Sequence, residues 1–181
     1  MIELGRHTDN WRTLNGNFRT AVESAVKYSL SHIEFGVIHG QYFVQGLGYD
    51  PAVSLQSNPR ALKRYLDQNG LTVSQIDAAY PLMDPDGSSL GVPYVQQAIR
   101  FAAEIGCPYV DTTDGAMKTP GFSDDEVFRI TCDNHRQCLS WADDYGVGIK
   151  HRDSRPLHHQ WRLPEAALPL HRLPVTAVQL R

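Results

Sequence analysis

The feature that most constrains the fold is a regular exchange of short apolar runs with longer amphipathic stretches across residues 1–149. Ile2–Gly5 reads as a strand, and Asn17–Leu30 as a helix that turns Phe18, Ala21, Val22, Ala25 and Tyr28 to one side. His32–Val37 is the next strand. Asn58-Pro59 starts a second helix, because the Asn side chain accepts a bond from an open backbone N–H and proline suits the first helical position. Leu62, Tyr65 and Leu66 form its buried side, and Asn69-Gly70 ends it. The third strand lies within Leu71–Tyr80. Pro93–Ile105 is predicted as a helix with Val95, Ala98, Ile99, Ala102 and Ala103 inward and Gly106 just past its end. Pro108–Asp111 is the fourth strand. Ser123 and Glu126 form a capping box, and the helix behind it carries Val127, Ile130, Asn134, Cys138, Trp141 and Tyr145 at spacings of three and four. Gly146 closes that helix, and Val147-Gly148-Ile149 starts a fifth strand. The order βαβαβαβαβ implies parallel strands joined by right-handed crossovers.

A doubly wound open sheet and a (β/α)₈ barrel both accept this order. A doubly wound nucleotide fold usually carries a glycine-rich turn after its first strand. Here the first strand leads into Arg6-His7-Thr8-Asp9-Asn10-Trp11 instead. Polar and aromatic residues follow every strand: His7, then His39 with Gln41 and Tyr42, then Tyr80, then Asp111-Thr112-Thr113-Asp114. Chemistry at the carboxyl ends of the strands is what a barrel mouth requires. The predicted fold class is α/β, a partial (β/α)₈ TIM barrel of about four βα units plus a fifth strand, followed by an irregular tail.

Composition then divides the chain. Residues 1–149 carry a net charge of −7 and residues 150–181 a net charge of +4, together the −3 of the whole. The tail holds half of the eight histidines and four of the eleven prolines. The expected organisation is therefore a half barrel over 1–149 and an irregular segment over 150–181. With 41% hydrophobic and 20% charged residues the chain has the makings of one soluble domain. It contains no apolar run long enough to span a membrane, and its start has no signal-peptide core, so a cytoplasmic location and no membrane partner are expected. Cys107, Cys132 and Cys138 form no C-x-x-C pair and read as small buried hydrophobes.

Several segments resemble the xylose-isomerase-like superfamily of sugar phosphate isomerases and epimerases. They are I-E-L-G-R-H-T at 2–8, H-I-E-F-G-V-I-H-G at 32–40, A-A-Y-P-L at 78–82, A-A-E-I-G-C-P at 102–108 and D-D-Y-G-V-G-I at 143–149. The resemblance implies a barrel that shifts a proton between carbons next to a carbonyl, with a divalent metal (Mn²⁺, Mg²⁺, Zn²⁺ or Co²⁺) polarising substrate oxygens. The expected partner is a small-molecule sugar or sugar phosphate. In that family the first metal carboxylate is a Glu ending the fifth strand, and the other ligands come from later strands. Lys150–Arg181 supplies no matching Glu, so the chain is expected to hold no metal there and to be inactive as it stands.

The tail K-H-R-D-S-R-P-L-H-H-Q-W-R-L-P has the composition of a message read out of frame. One permitted codon choice for Lys150–Pro156, with the third base of the lysine codon removed, reads N-[I/T]-E-[I/T]-H-G. The codons that follow permit P-Y-T-T-N-G-D-F. An alternating strand ending in Glu and then His-Gly is what the resemblance requires of a fifth strand. A single inserted base near codon 150 is the expected origin of the tail, which also makes His158-His159 a poor metal pair.

The candidate substrate-binding residues follow from position. His39 can bind a substrate hydroxyl or serve as a loop histidine bonded to backbone. Asp111 and Asp114 flank Thr112-Thr113, where they can orient polyol hydroxyls, or Asp111 can cap the turn. Glu34 alternates with Ile33 and Phe35, so it points into the barrel as a structural acceptor or a site residue. His7 and Tyr80 are further candidates, while Asp124-Asp125-Glu126 suits the positive end of a helix dipole. Two other functions fit the same fold. A nucleic-acid phosphodiesterase of the apurinic-site type should leave a basic footprint, which the −7 of residues 1–149 opposes, so no nucleic-acid partner is expected. A half barrel acting as a binding module, or associating through its open edge, is the other.

Overall fold

The structure is a computed structural model that describes residues 4–14, 16–38, 51–113 and 119–152. Its strands are β1 (Gly5–His7), β2 (His32–Ile38), β3 (Val53–Ser54), β4 (Thr72–Pro81), β5 (Tyr109–Thr113) and β6 (Gly148–Arg152). Its α-helices are α1 (Phe18–Lys27), α2 (Pro59–Gln68), α3 (Gly91–Ile105) and α4 (Asp124–Tyr145), with 3-10 turns at Thr8–Leu14 and Pro85–Ser88. The main sheet is parallel throughout, in the order β1-β2-β4-β5-β6, and β3 pairs separately with the end of β2. Sequential strands lying side by side, each pair joined through a helix, is barrel connectivity rather than the reversed order of a doubly wound sheet.

The helix boundaries follow from their caps. Asn17 Oδ1 accepts from Thr20 N at 3.0 Å, and Asn58 Oδ1 from Ala61 N at 3.1 Å. At α4, Ser123 Oγ accepts from Glu126 N at 3.3 Å while Glu126 Oε2 accepts from Ser123 N at 2.8 Å, the reciprocal box that the sequence predicts. Gly106 and Gly146 end α3 and α4 at φ of 73° and 65°, a left-handed conformation that side chains oppose.

One face of the sheet is sealed by the helices. Phe35, Ile76 and Val110 stand side by side across β2, β4 and β5, each fully buried, and Ile149 continues the row on β6. Val22 and Ala25 of α1, Leu66 of α2, Val95, Ala98, Ile99 and Ala102 of α3, and Cys138 and Ala142 of α4 belong to the same core.

Several expectations shift. β1 begins at Gly5 and includes His7, which was expected just after the strand, while residues 1–3 lie outside the described part. Tyr28 is 61% exposed rather than buried, because α1 stops at Lys27 and the chain turns away through Ser29 at φ 54°. Tyr145 is likewise exposed and stacks on Trp141, and Ala142 takes the buried place at that end of α4. α3 starts two residues before Pro93, at Gly91, where a Cβ would fall 2.4 Å from the Tyr80 ring. The fifth strand runs on through Arg152, paired with Thr113.

Burial sets the reactivity of the thiols. It pushes Cys107 up to about 11 and Cys138 up to about 12, because an apolar surrounding disfavours the thiolate. Half-buried Cys132 is raised by the same cause. Thiolate is the nucleophile, so iodoacetamide at pH 8 should modify Cys132 first and reach Cys107 and Cys138 only after denaturation. Peptide mass spectrometry over a time course checks this. Equal labelling rates at all three would contradict the buried placement.

Candidate functional site

The face of the sheet away from the helices carries polar side chains, and the strand register decides which. A bulge in β4 pairs Ile33 with Val73 and Glu34 with Gln75, leaving Ser74 as the extra residue. This keeps Val73 and Ile76, three apart, on the apolar side and turns Gln75 and Asp77 to the other. His7 sits opposite Glu34, Asp77 opposite Asp111, and Asp111 opposite Lys150. One polar layer thus crosses all five long-range strands of the sheet.

The layer is wired together. Gln75 Nε2 donates to Glu34 Oε1 at 2.6 Å, and Lys150 Nζ donates to Gln75 Oε1 at 2.7 Å. Lys150 Nζ also lies 4.3 Å from the centre of the Tyr109 ring, a cation–π contact. That ring occupies the space a side chain on the neighbouring strand would need. A Cβ on Gly148 would fall 2.7 Å from Tyr109 Cδ1, so glycine is required there.

His7 is the pivot. Its Nδ1 accepts a hydrogen bond from the Asp9 backbone N at 3.0 Å, so in the neutral ring the proton resides on Nε2. Nε2 is buried, 3.6 Å from Glu34 Oε1 and 4.0 Å from Asp77 Oδ2, just beyond hydrogen-bonding reach of either carboxylate. Beside it the Thr8 hydroxyl is fully buried with no hydrogen-bond partner among the described residues. An N–H donor facing two acceptors across a short gap is an arrangement that a ligand hydroxyl, both donor and acceptor, can complete.

The sequence candidates separate accordingly. His7 and Glu34 come together in this layer, and Asp111, 5% exposed, lies in its register. Tyr80 stands apart: its ring packs 6.2 Å from that of Tyr94, against the start of α3. His39 and Asp114 lie outside the described residues. Gln75, Asp77 and Lys150 belong to the layer and were missed by sequence reasoning: the bulge breaks the alternation that would have marked Gln75 and Asp77, and Lys150 falls where the composition changes. Among the described residues, no group of three or more His, Cys, Asp or Glu side chains is placed to hold a metal ion.

No protein-family model matches the sequence, and no curated protein matches it. Solved structures do match. L-ribulose 3-epimerase is 18% identical with a TM-score of 0.60, over 83% of this chain and 49% of that one. The IOLI protein with a binding zinc atom is 14% identical with a TM-score of 0.61, over 83% of this chain and 51% of that one. D-psicose 3-epimerase from Clostridium cellulolyticum H10, solved with D-tagatose, is 12% identical with a TM-score of 0.60, over 82% of this chain and 51% of that one. The chain spans about half the length of the solved structures it matches. Its fold is that of a partial (β/α)₈ barrel, and sugar epimerases and isomerases are among its structural neighbours.

Proposed function

We propose that this chain forms the first wall of a sugar isomerase or epimerase, a barrel enzyme that moves a proton between carbons next to a carbonyl. The observation that carries the reading is the His7 Nε2–H facing Glu34 and Asp77 at 3.6 and 4.0 Å on the uncovered face of the sheet. A sugar hydroxyl seated there accepts from Nε2–H and donates to a carboxylate. The wall's role is to bind and orient. Proton transfer next to the carbonyl, and the divalent metal expected to assist it, belong to groups beyond the described residues.

Charge selects what this wall takes. Among the described residues, Glu34, Asp77 and Asp111 share this layer with one lysine, Lys150, whose Nζ donates to Gln75. A phosphate placed here would meet net negative charge, so this wall suits the neutral hydroxyls of a ketose. Any phosphate of the substrate would be bound from the other side of the mouth.

The test uses the chain with its frame restored at codon 150 and the downstream coding sequence present. Glu34→Gln or Asp77→Asn there should lower kcat/KM for a neutral ketose by roughly 10- to 100-fold, the worth of one charge-assisted hydrogen bond, mainly through KM. Kinetics unchanged in both variants would remove this wall from the substrate site.

A further inference from the structure

His135 of α4 and His151 of β6 face each other on the helix-covered side of the sheet. Their ring centres are 5.0 Å apart with planes inclined at 66°, and His135 Nε2 lies 3.2 Å from His151 Nδ1. The other nitrogen of His135, Nδ1, is 2.9 Å from the Thr131 carbonyl oxygen one helical turn earlier. A carbonyl only accepts, so Nδ1 carries the proton and Nε2 presents its lone pair toward His151. In the neutral pair, His151 Nδ1–H is then the donor between the rings.

We propose that, in the 181-residue chain as it stands, this pair is a two-histidine site for a divalent transition-metal ion of the Zn²⁺, Ni²⁺ or Cu²⁺ class. It is independent of the sugar site, since Lys150, the neighbour of His151, points to the polar layer on the opposite face. The spacing fits. Two imidazole nitrogens bound at about 2.0–2.1 Å to one ion are about 2.8–3.4 Å apart at octahedral or tetrahedral angles, and the observed 3.2 Å lies between. The orientation fits as well, because metal-binding imidazoles characteristically donate their second N–H to a backbone carbonyl, as His135 does to Thr131. Both ligands stand on regular elements, a long helix and a paired strand, so little order must be gained on binding. Imidazole donors favour these ions over Mg²⁺ or Ca²⁺, which take oxygen.

Binding exchanges one interaction for another. The proton between the rings leaves His151 Nδ1 and His151 Nε2 gains one, a change of tautomer without change of charge. The His151 ring turns so that both lone pairs meet at the ion, and water completes the shell.

Zn²⁺ alone, titrated into the full chain in whatever assembly it forms, is the first measurement. His135→Ala and His151→Ala should each weaken the tightest binding event by on the order of 100-fold, the loss expected when one of two linked donors is removed. The double variant His158→Ala/His159→Ala should bind as the parent does. In the unaltered chain, long-range ¹⁵N spectra of the imidazoles should show Zn²⁺ shifting His135 Nε2 and His151 Nδ1 together, which keeps the test valid if a variant misfolds. Undiminished binding in both single variants would overturn the site, as would its loss in the 158/159 variant or spectra in which neither nitrogen responds.

Discussion

Across a panel of ketoses, aldoses and their phosphates, the 181-residue chain by itself should exchange no carbon-bound proton with solvent, with or without Mn²⁺, Mg²⁺ or Co²⁺. The expectation follows from the number of donors. Holding an ion while leaving positions open for substrate oxygens takes several carboxylate or imidazole groups that converge on one point. Among the described residues no such group of three exists, and the polar layer offers only hydrogen bonds to hydroxyls. Those can orient a sugar but cannot stabilise the charge that develops when a proton leaves carbon, the step in which most of the rate enhancement arises. With the codon choice that puts the tail out of frame, restoring the frame would replace Lys150–Arg155 by N-[I/T]-E-[I/T]-H-G, and the restored chain should then show EDTA-sensitive exchange on at least one ketose. Assayed side by side by NMR, the two chains should differ by several orders of magnitude. EDTA-sensitive exchange by the short chain would overturn the expectation, and a folded, restored chain silent on every sugar would favour a binding module.

Much of the scaffold was legible because its signals are local. Asn17, Asn58, Ser123, Gly106 and Gly146 act through their own backbone neighbours, so a cap can be read without knowing what the helix packs against. The apolar row of β2 alternates cleanly and was readable too. Tyr28 was not, since its exposure depends on where the chain leaves α1, and an amphipathic period alone says nothing about that exit. The site was half legible. Glu34 could be found from its alternation with Ile33 and Phe35, whereas Gln75 and Asp77 required knowledge of the bulge at Ser74. In T-V-S-Q-I-D the apolar residues are three apart, a spacing that a regular strand does not give, and that misfit was the available signal. Lys150 was hidden differently. It falls where the composition changes, yet pairing with β5 carries strand geometry three residues past that boundary.

At tens of micromolar the short chain should sediment as oligomers or aggregates rather than as a monomer with a sharp, reversible melt. β1 and β6 are the outer strands of the main sheet, each paired on one side only among the described residues. Open N–H and C=O groups along such edges invite another chain. Two features oppose this: both edges are short, and both carry charge, Arg6 on β1 and Lys150 on β6. Like-charged edges resist pairing of β6 with β6, and the polar layer gives the uncovered face little apolar surface to bury. β1 of one copy meeting β6 of another is less penalised, because parallel pairing there continues the sheet in the direction a barrel closes and brings His7 and Glu34 toward a new neighbour. Exposed Leu4, beside β1, adds apolar contact at that same edge. The edge contact should therefore outweigh the charge, and raising salt to screen Arg6 and Lys150 should strengthen association. Hydrogen exchange at rising protein concentration should protect the amides of β1 and β6 while leaving those of the central strand β4 unchanged. A monomer at every concentration, with β1 and β6 exchanging freely, would mean that charge and short length are enough to keep an open half barrel apart.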